Sequence, residues 1–373
     1  MSKEENRKNF SKYVSQNILG MIGFSCYVLA DSYFISIAKG ADGLTALNLV
    51  MPLYSIIFSI GEMIGVGSAI RYAISKIKKD ADADDYFWNA IIWCIMSSMI
   101  FVFAGIFFSS DIMRVLGADE HIVAVGNNYT KIFMCFAPMF MCNYVTNAFV
   151  RNDGAPGIAM SATLFSSLFN IVFDYILMFP MNLGMEGAAL ATALSPIIGM
   201  GICSIHFFSK KSSVRLVVCK PSVRKLVAGS QLGVSAFVGE MSSAVITLAF
   251  NFVILKLTGN VGVAAYGVVA NIAIVTTAVF NGVAQGSQPL ISSCFGRGDK
   301  DGCTQLKRMG YTTAFVLAAV MYSILFIFAE QFVAVFNSEG SEMLRLYATE
   351  GVKLYFIGIF LSLIHISEPT RPY

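Results

Sequence analysis

The sequence predicts an all-α fold: a polytopic membrane helical bundle of two pseudo-symmetric six-helix lobes, the second incomplete, with about ten helices present. Three observations predict it: an apolar composition, the block length of the apolar residues, and an internal repeat. Of the 373 residues 56% are hydrophobic and 13% charged, and the mean hydropathy is +0.68. A soluble domain carries about 25% charged residues, so a water-soluble fold has no means of hiding this much apolar surface. The apolar residues form blocks near or above the ~20 residues a helix needs to cross a bilayer. Ten are legible: Tyr13 to Ala38, Leu44 to Ile70, Phe87 to Phe108, Ile132 to Val150, Ile158 to Phe179, Gly187 to Phe208, Leu232 to Leu257, Val261 to Val283, Tyr311 to Phe332, and a short block starting at Val352.

The placement of Lys and Arg predicts the topology. With a cytoplasmic N-terminus, nineteen basic residues fall on inner segments, grouped around Lys12, Lys78, Arg151, Lys210, Lys225 and Lys300, and six on outer ones, from Lys39 to Lys353. That bias is the positive-inside pattern, and it predicts a multi-pass plasma-membrane protein with a cytoplasmic N-terminus. Because the charges alternate with spans, they form no patch for nucleic acid. The first block is too long for a signal-peptide core, contains Asp31, and lacks a small-residue cleavage pattern. Eight cysteines lie in apolar blocks or inner loops without C-x-x-C or metal spacing.

A shift of 219 positions superposes Gly40, Gly43, Ala46, Val50, Gly67, Ser68 and Asp80 on Gly259, Gly262, Ala265, Val269, Gly286, Ser287 and Asp299. Duplicated units of this kind build transporters, with the binding site near mid-membrane between them. The expected organisation is a first lobe over residues 1–215, a partial second lobe over 216–363, and an anomalous tail at 364–373. The repeat implies a second unit running to about position 438. The tail Ser367-Glu368-Pro369-Thr370-Arg371-Pro372-Tyr373 puts charges and prolines where hydrocarbon is expected, so the expectation is a chain that stops short of its last two helices.

Ala30-Asp31-Ser32-Tyr33-Phe34-Ile35, Arg151-Asn152-Asp153-Gly154, Asn170-Ile171-Val172-Phe173-Asp174, Gly187-Ala188-Ala189-Leu190-Ala191-Thr192 and Gln285-Gly286-Ser287-Gln288-Pro289 together resemble the signatures of the MATE (multidrug and toxic compound extrusion) family. The resemblance spans most of residues 14–363. It implies two six-helix lobes facing a central cavity, and ion coupling through the residues matching Asp31, Asn170, Asp174 and Thr192, with Asn147 at a further family position.

Residue chemistry points the same way. Asp31, Glu62, Asp174 and Glu240 sit inside apolar blocks, where a central carboxylate costs about 2.5–3.5 kcal/mol on insertion scales. Asp31, Asp174 and Thr192 lie six or seven residues from the outer ends of their helices, at one depth, and Asn170 is a turn from Asp174 on the same face. Two close carboxylates repel, which a shared proton or a monovalent cation relieves; Asn and Thr oxygens would complete a Na⁺ shell. Asn147 is only a turn from Arg151 at the inner end. Glu240 is a candidate for attracting a cationic substrate or for a second coupling step. Asn251 falls on Ser32 under the repeat, a polar residue without the acid. Glu62 lies in a Gly61-x-x-x-Gly65 helix that close packing buries. Tyr27 and Tyr129 are candidates to line a cavity for aromatic or cationic compounds. Pro52, Pro138, Pro196 and Pro289 fall within spans, where they permit bends.

The expected function is therefore antiport: Na⁺ or H⁺ enters and a small organic cation leaves, with no cofactor beyond the coupling ion, membrane lipid around the protein, and a monomeric assembly. A flippase for lipid-linked saccharide precursors is the alternative; it calls for a cationic cavity, and these spans carry acids. A membrane enzyme is not expected, since H-E-x-x-H, G-x-S-x-G and similar patterns are missing, and His121, His206 and His365 are far apart in sequence.

Overall fold

The computed structural model describes residues 3–336 and 341–360; within those ranges the side chains of a few positions, Asn251 among them, lie outside the described residues. The element order is α1 (Lys3–Lys78), α2 (Asp85–Val115), α3 (Glu120–Cys135), α4 (Ala137–Asn152), α5 (Pro156–Met178), α6 (Gly184–Phe207), α7 (Val223–Gly296), α8 (Lys300–Ile327), α9 (Ala329–Phe336), α10 (Glu342–Tyr355) and a 3₁₀ turn over Phe356–Phe360. The described residues contain helices and no strand, as hydrocarbon requires of a chain that satisfies its backbone within each segment. Among the described residues seven helices are long and apolar enough to cross a membrane, or eight if the bent pair α3 and α4 is one span.

A straight helix of α1's 76 residues would be about 114 Å long, several times a bilayer core. It doubles back at Gly40, whose φ of 59° and ψ of −143° belong to a region essentially reserved for glycine. Its two arms, Lys3–Gly40 and Asp42–Lys78, are separate spans. Beyond the bend a Cβ on Gly43 would stand 3.0 Å from the Ile35 Cγ2, and the repeat-related Gly262 meets Ile254 in the same way at 2.9 Å. α7 likewise folds on itself: the rings of Phe250 and Tyr266 stack at 5.4 Å, although sixteen residues of straight helix separate side chains by about 24 Å. The separate blocks Leu232 to Leu257 and Val261 to Val283 thus run without a loop in one helical segment.

Two other boundaries differ from expectation. The block Ile132 to Val150 is the second half of a longer element: α3 begins at Glu120, where Asp119 caps it by accepting from the Ile122 N–H at 2.8 Å, and α4 follows at an angle of 46°. Pro138 sits in the first turn of α4, directly after the 46° bend between the two limbs, where a proline permits such a bend. The repeat shows the same device: α10 starts at Glu342, capped by Ser341, and changes to 3₁₀ at Phe356, so Val352 lies inside α10 and begins no element. Pro52, Pro196 and Pro289 do lie inside helices. Residues 364–373 lie outside the described residues.

Two large apolar cores result, with a small third cluster of Val150, Ala159, Ala162 and Cys203. One is centred on Ile35, Leu47, Ile57, Tyr72, Phe133, Met141 and Phe149 from α1 to α4. The other gathers Val269, Val283, Leu306, Ala318, Val333 and Val352 from α7 to α10, and draws Phe10 and Val14 of α1 into it. The lobes meet closely at the end carrying the N-terminus and Lys78: a Cβ on Gly67 would lie 2.2 Å from the Gly229 carbonyl oxygen, and one on Gly286 would lie 2.7 Å from the Val14 Cα. Large apolar residues such as Ile100, Phe103 and Phe107 stay exposed on α2, as a lipid-facing surface does.

Candidate functional site

Asp31 on the first arm of α1, Asn170 and Asp174 on α5, and Thr192 on α6 are all buried, at 6%, 0%, 0% and 3% exposure. Asn170 and Asp174 stand one turn apart, and α6 brings Thr192 against them. The Asn170 amide satisfies both neighbours in one orientation, donating to Asp174 Oδ2 at 3.0 Å while its oxygen accepts from the Thr192 hydroxyl at 3.2 Å and backbone N–H at 3.3 Å. Asp31 and Asp174 lie within electrostatic reach of each other. Neither Asp31 Oδ1 nor Asp174 Oδ1 has a hydrogen-bond partner although both are buried. A buried carboxylate oxygen without a donor is costly, and a second carboxylate beside it raises that cost. The group that fits such a pair is a cation: a proton shared by the acids, or a monovalent metal ion to which two carboxylates, an amide oxygen and a hydroxyl offer hard oxygen ligands. Among the described residues no group of three or more His, Cys, Asp and Glu makes a metal cluster.

Tyrosines close the site on one side. Tyr27, a turn before Asp31, is within electrostatic reach of both acids. Tyr129 is fully buried and shares a short hydrogen bond with the Tyr54 hydroxyl; the Tyr54 ring stacks on Phe133 at 3.6 Å. Tyr129 is thus part of the packed wall of the first lobe, not of an open cavity. Asn147 donates to Asn143 Oδ1 at 3.5 Å on its own helix and is not brought into hydrogen-bond contact with the acidic cluster. Glu62 accepts from the Gln285 amide at 3.3 Å and interacts electrostatically with Glu240 and Arg151, so close packing does not isolate it: it faces the other lobe. The side chain of Asn251 lies outside the described residues.

A family model, MatE, matches residues 17–176 and 236–367. The chain belongs to the MatE family. Its sequence is 28% identical over 336 residues to the multidrug export protein MepA of Staphylococcus aureus (strain MRSA252), covering 89% of this chain and 72% of that protein. It is 26% identical over 332 residues to MepA of Staphylococcus saprophyticus, covering 87% and 72%. Among solved structures, an outward-facing conformation of a multidrug resistance MATE family transporter of the MOP superfamily superposes with a TM-score of 0.88 at 20% identity, over 98% of this chain and 83% of that one. A MOP superfamily transporter from Pyrococcus furiosus, described as having a binding pocket of reverse polarity, superposes at 0.89 with 20% identity and the same coverage. These likenesses show the MatE fold.

Sequence reasoning placed Arg151 among inner-loop charges and left Asp153 and His206 without a role. In this MatE chain Arg151 is buried, at 7% exposure, and donates to Asn17 Oδ1 at 3.2 Å. Asp153, its side chain 2% exposed, accepts from His206 Nε2 at 2.8 Å, from the Ser212 hydroxyl at 3.0 Å, from the Ser213 backbone N–H at 2.9 Å, and from the Ser213 hydroxyl. It ties the basic segment after α6 to the end of α4. The segment's far end is held by Asn89, which accepts from the Ser222 N–H at 2.6 Å, and by Asp85, which pairs with Lys225. The signal available in the sequence was the Arg151-Asn152-Asp153-Gly154 string itself, which marks the polar end of the helix but not its partners.

Proposed function

We propose that this member of a multidrug efflux transporter family is a cation-coupled antiporter of the bacterial inner membrane, exporting small organic cations by alternating access while Na⁺ or H⁺ enters. The observation that carries the reading is the pair of buried carboxylate oxygens on Asp31 and Asp174 without donors, beside Asn170 and Thr192. An inward-moving cation gains from the membrane potential about 2.3 kcal/mol per charge per 100 mV. To drive export it must bind one conformation better than the other, since equal binding shifts nothing. Asp31 belongs to an arm that bends at Gly40, whereas Asp174 and Thr192 belong to α5 and α6, so a movement of α1 against α5 separates the ligands and releases the ion. Glu240 and Glu62, one on each lobe, supply negative potential between the lobes for a cationic substrate. These acids, rather than a cationic cavity, are also why the saccharide-lipid flippase is not preferred.

Ethidium efflux from proteoliposomes under separately imposed Na⁺ and pH gradients tests the proposal. Export driven by one of them, and lost in Asp31→Asn and Asp174→Asn, is the expected result. Equal export with neither gradient, or wild-type coupling in both variants, overturns it.

A further inference from the structure

A second polar chain runs between the lobes at their closed end, apart from the cation site. Arg151 on α4 donates through Nη1 to Asn17 on α1 and to Gln285 Oε1 on α7. Gln285 in turn donates through Nε2 to Glu62 on the second arm of α1 at 3.3 Å. The Arg151 Nε has no acceptor, which leaves the two amide oxygens as the acceptors of its Nη1. One turn further along α7, Gln288 and Asn152 exchange amide hydrogen bonds at 3.2 Å and 3.0 Å. Backbone contact holds Gln285 in place: a Cβ on Gly282 would lie 2.5 Å from the Ile18 Cα, and one on Gly286 would lie 2.7 Å from the Val14 Cα.

The repeat makes Gln285 unusual. The position 219 residues earlier is Val66, so the polar bridge is not a shared legacy of the two units. A glutamine also suits a contact that must break. Its neutral amide accepts from a cation and donates to an anion at once, so it links Arg151 to Glu62 without adding a charge of its own. When the lobes part at this end, Gln285 leaves with α7 and the buried Arg151 loses an acceptor, which disfavours the parted state.

We propose that Gln285 is the positioning residue that holds this end of the transporter closed, acting through Arg151 and Glu62. The proposal rests on the alternating-access reading for its consequence in transport, but the contact itself is tested without it. Spin labels at Lys78→Cys and Arg297→Cys, exposed positions on either side of the closed end, report the lobe separation in full-length protein lacking its eight native cysteines, reconstituted in liposomes. Ethidium efflux is measured in parallel.

The wild type is expected to show mainly the short distance. Gln285→Leu, which leaves Arg151 without that acceptor, lowers the ratio of closed to parted molecules by about tenfold, and lowers maximal efflux more than it changes the ethidium concentration for half-maximal rate. Arg151→Met combined with Gln285→Leu, which removes both partners, returns most of the short-distance population. If Gln285→Leu fails to insert, Gln285→Asn, too short to reach both partners, carries the same expectation. Unchanged distances in these Gln285 variants overturn the proposal, as does a double variant parted as far as the single one. Distances that respond as expected in a wild type without gradient-driven efflux leave the closed-end role standing and overturn the antiport reading instead.

Discussion

At the scale of single residues, Asp31→Asn and Asp174→Asn each remove a charge with little change of volume. Gradient-driven efflux is expected to fall to the protein-free background while membrane insertion stays at the wild-type level. Wild-type efflux in either variant would remove that acid from the proposed coupling site. Thr192→Val deletes one hydroxyl from the same cluster, and losing one hydrogen bond is worth about 0.5–1.5 kcal/mol. The ion concentration for half-maximal efflux should therefore rise by about two- to tenfold, read in ion titrations at fixed ethidium. The acids were legible in the sequence because a carboxylate inside an apolar block is costly enough to require a reason. Their mutual proximity followed from depth counting. Tyr54 was not legible, since an aromatic residue in an apolar block reads as packing, and only the structure shows its hydroxyl bonded to Tyr129. The burial of Arg151 was not legible for a related reason: at the end of a helix a cation normally faces water, and nothing in the string Arg151-Asn152-Asp153-Gly154 shows that α1 and α7 cover it.

At the scale of elements, most helices were legible from hydropathy because each has to be apolar over a bilayer's thickness, and the misses are informative. The start of α3 was hidden by Asn127, Asn128 and Lys131, which interrupt the apolar run; Asn127 accepts from the Ser109 hydroxyl at 2.7 Å and Asn128 donates to Glu186 at 2.7 Å. Polar residues that hydrogen-bond to neighbouring helices thus mask the start of a helix. The bend of α1 gives a clean test. A Cβ on Gly40 meets nothing within 4 Å, so Gly40→Ala adds only backbone strain, about 1–3 kcal/mol. A fall in the detergent-solubilised melting temperature without loss of the folded state is the expected outcome, and an unchanged melting temperature would contradict the assigned geometry. The basic segment after α6 gives another. Burial, with Asp85 nearby, pushes the Cys219 thiol above its ordinary pKa, and Asn89 donates to its sulfur at 3.0 Å. Since maleimides react with the thiolate, a raised pKa leaves less of the reactive form at pH 7 and slows labelling. Rates should climb as pH rises toward the shifted value, and Asn89→Ala should speed labelling at pH 7 several-fold; equal rates in both proteins would mean the segment is not held there.

At the scale of the whole molecule, the repeat governs how the lobes meet. Gly67 and Gly286 are related by the 219-residue offset, and both occupy the seam at the closed end. A Cβ on Gly67 would stand 2.2 Å from the Gly229 oxygen and 2.8 Å from the Gly233 nitrogen; on Gly286 it would stand 2.7 Å from the Val14 Cα and 2.9 Å from the Tyr13 oxygen. The obstructing atoms are backbone in each case, so no side chain can rotate out of the way. The lobes must move apart, and overpacking of this kind typically costs about 1–3 kcal/mol. Gly67→Ala and Gly286→Ala should therefore act alike, both favouring the state in which this end is parted. Each is read across the seam: Ser287→Cys labelling in Gly67→Ala, and Ser68→Cys labelling in Gly286→Ala. The reported positions are buried, at 0% and 3% exposure, so wild-type labelling should be slow and that of the alanine variants faster by about tenfold or more. Gly201→Ala serves as the control, because a Cβ there meets nothing within 4 Å, and its labelling should match the wild type. The orientation expected from the positive-inside pattern predicts that the seam is cytoplasmic. A membrane-impermeant maleimide should then reach it in inside-out vesicles and not in intact cells. Labelling from the outside of cells would reverse the orientation, and unchanged labelling in both alanine variants would mean that the glycine seam does not part during the cycle.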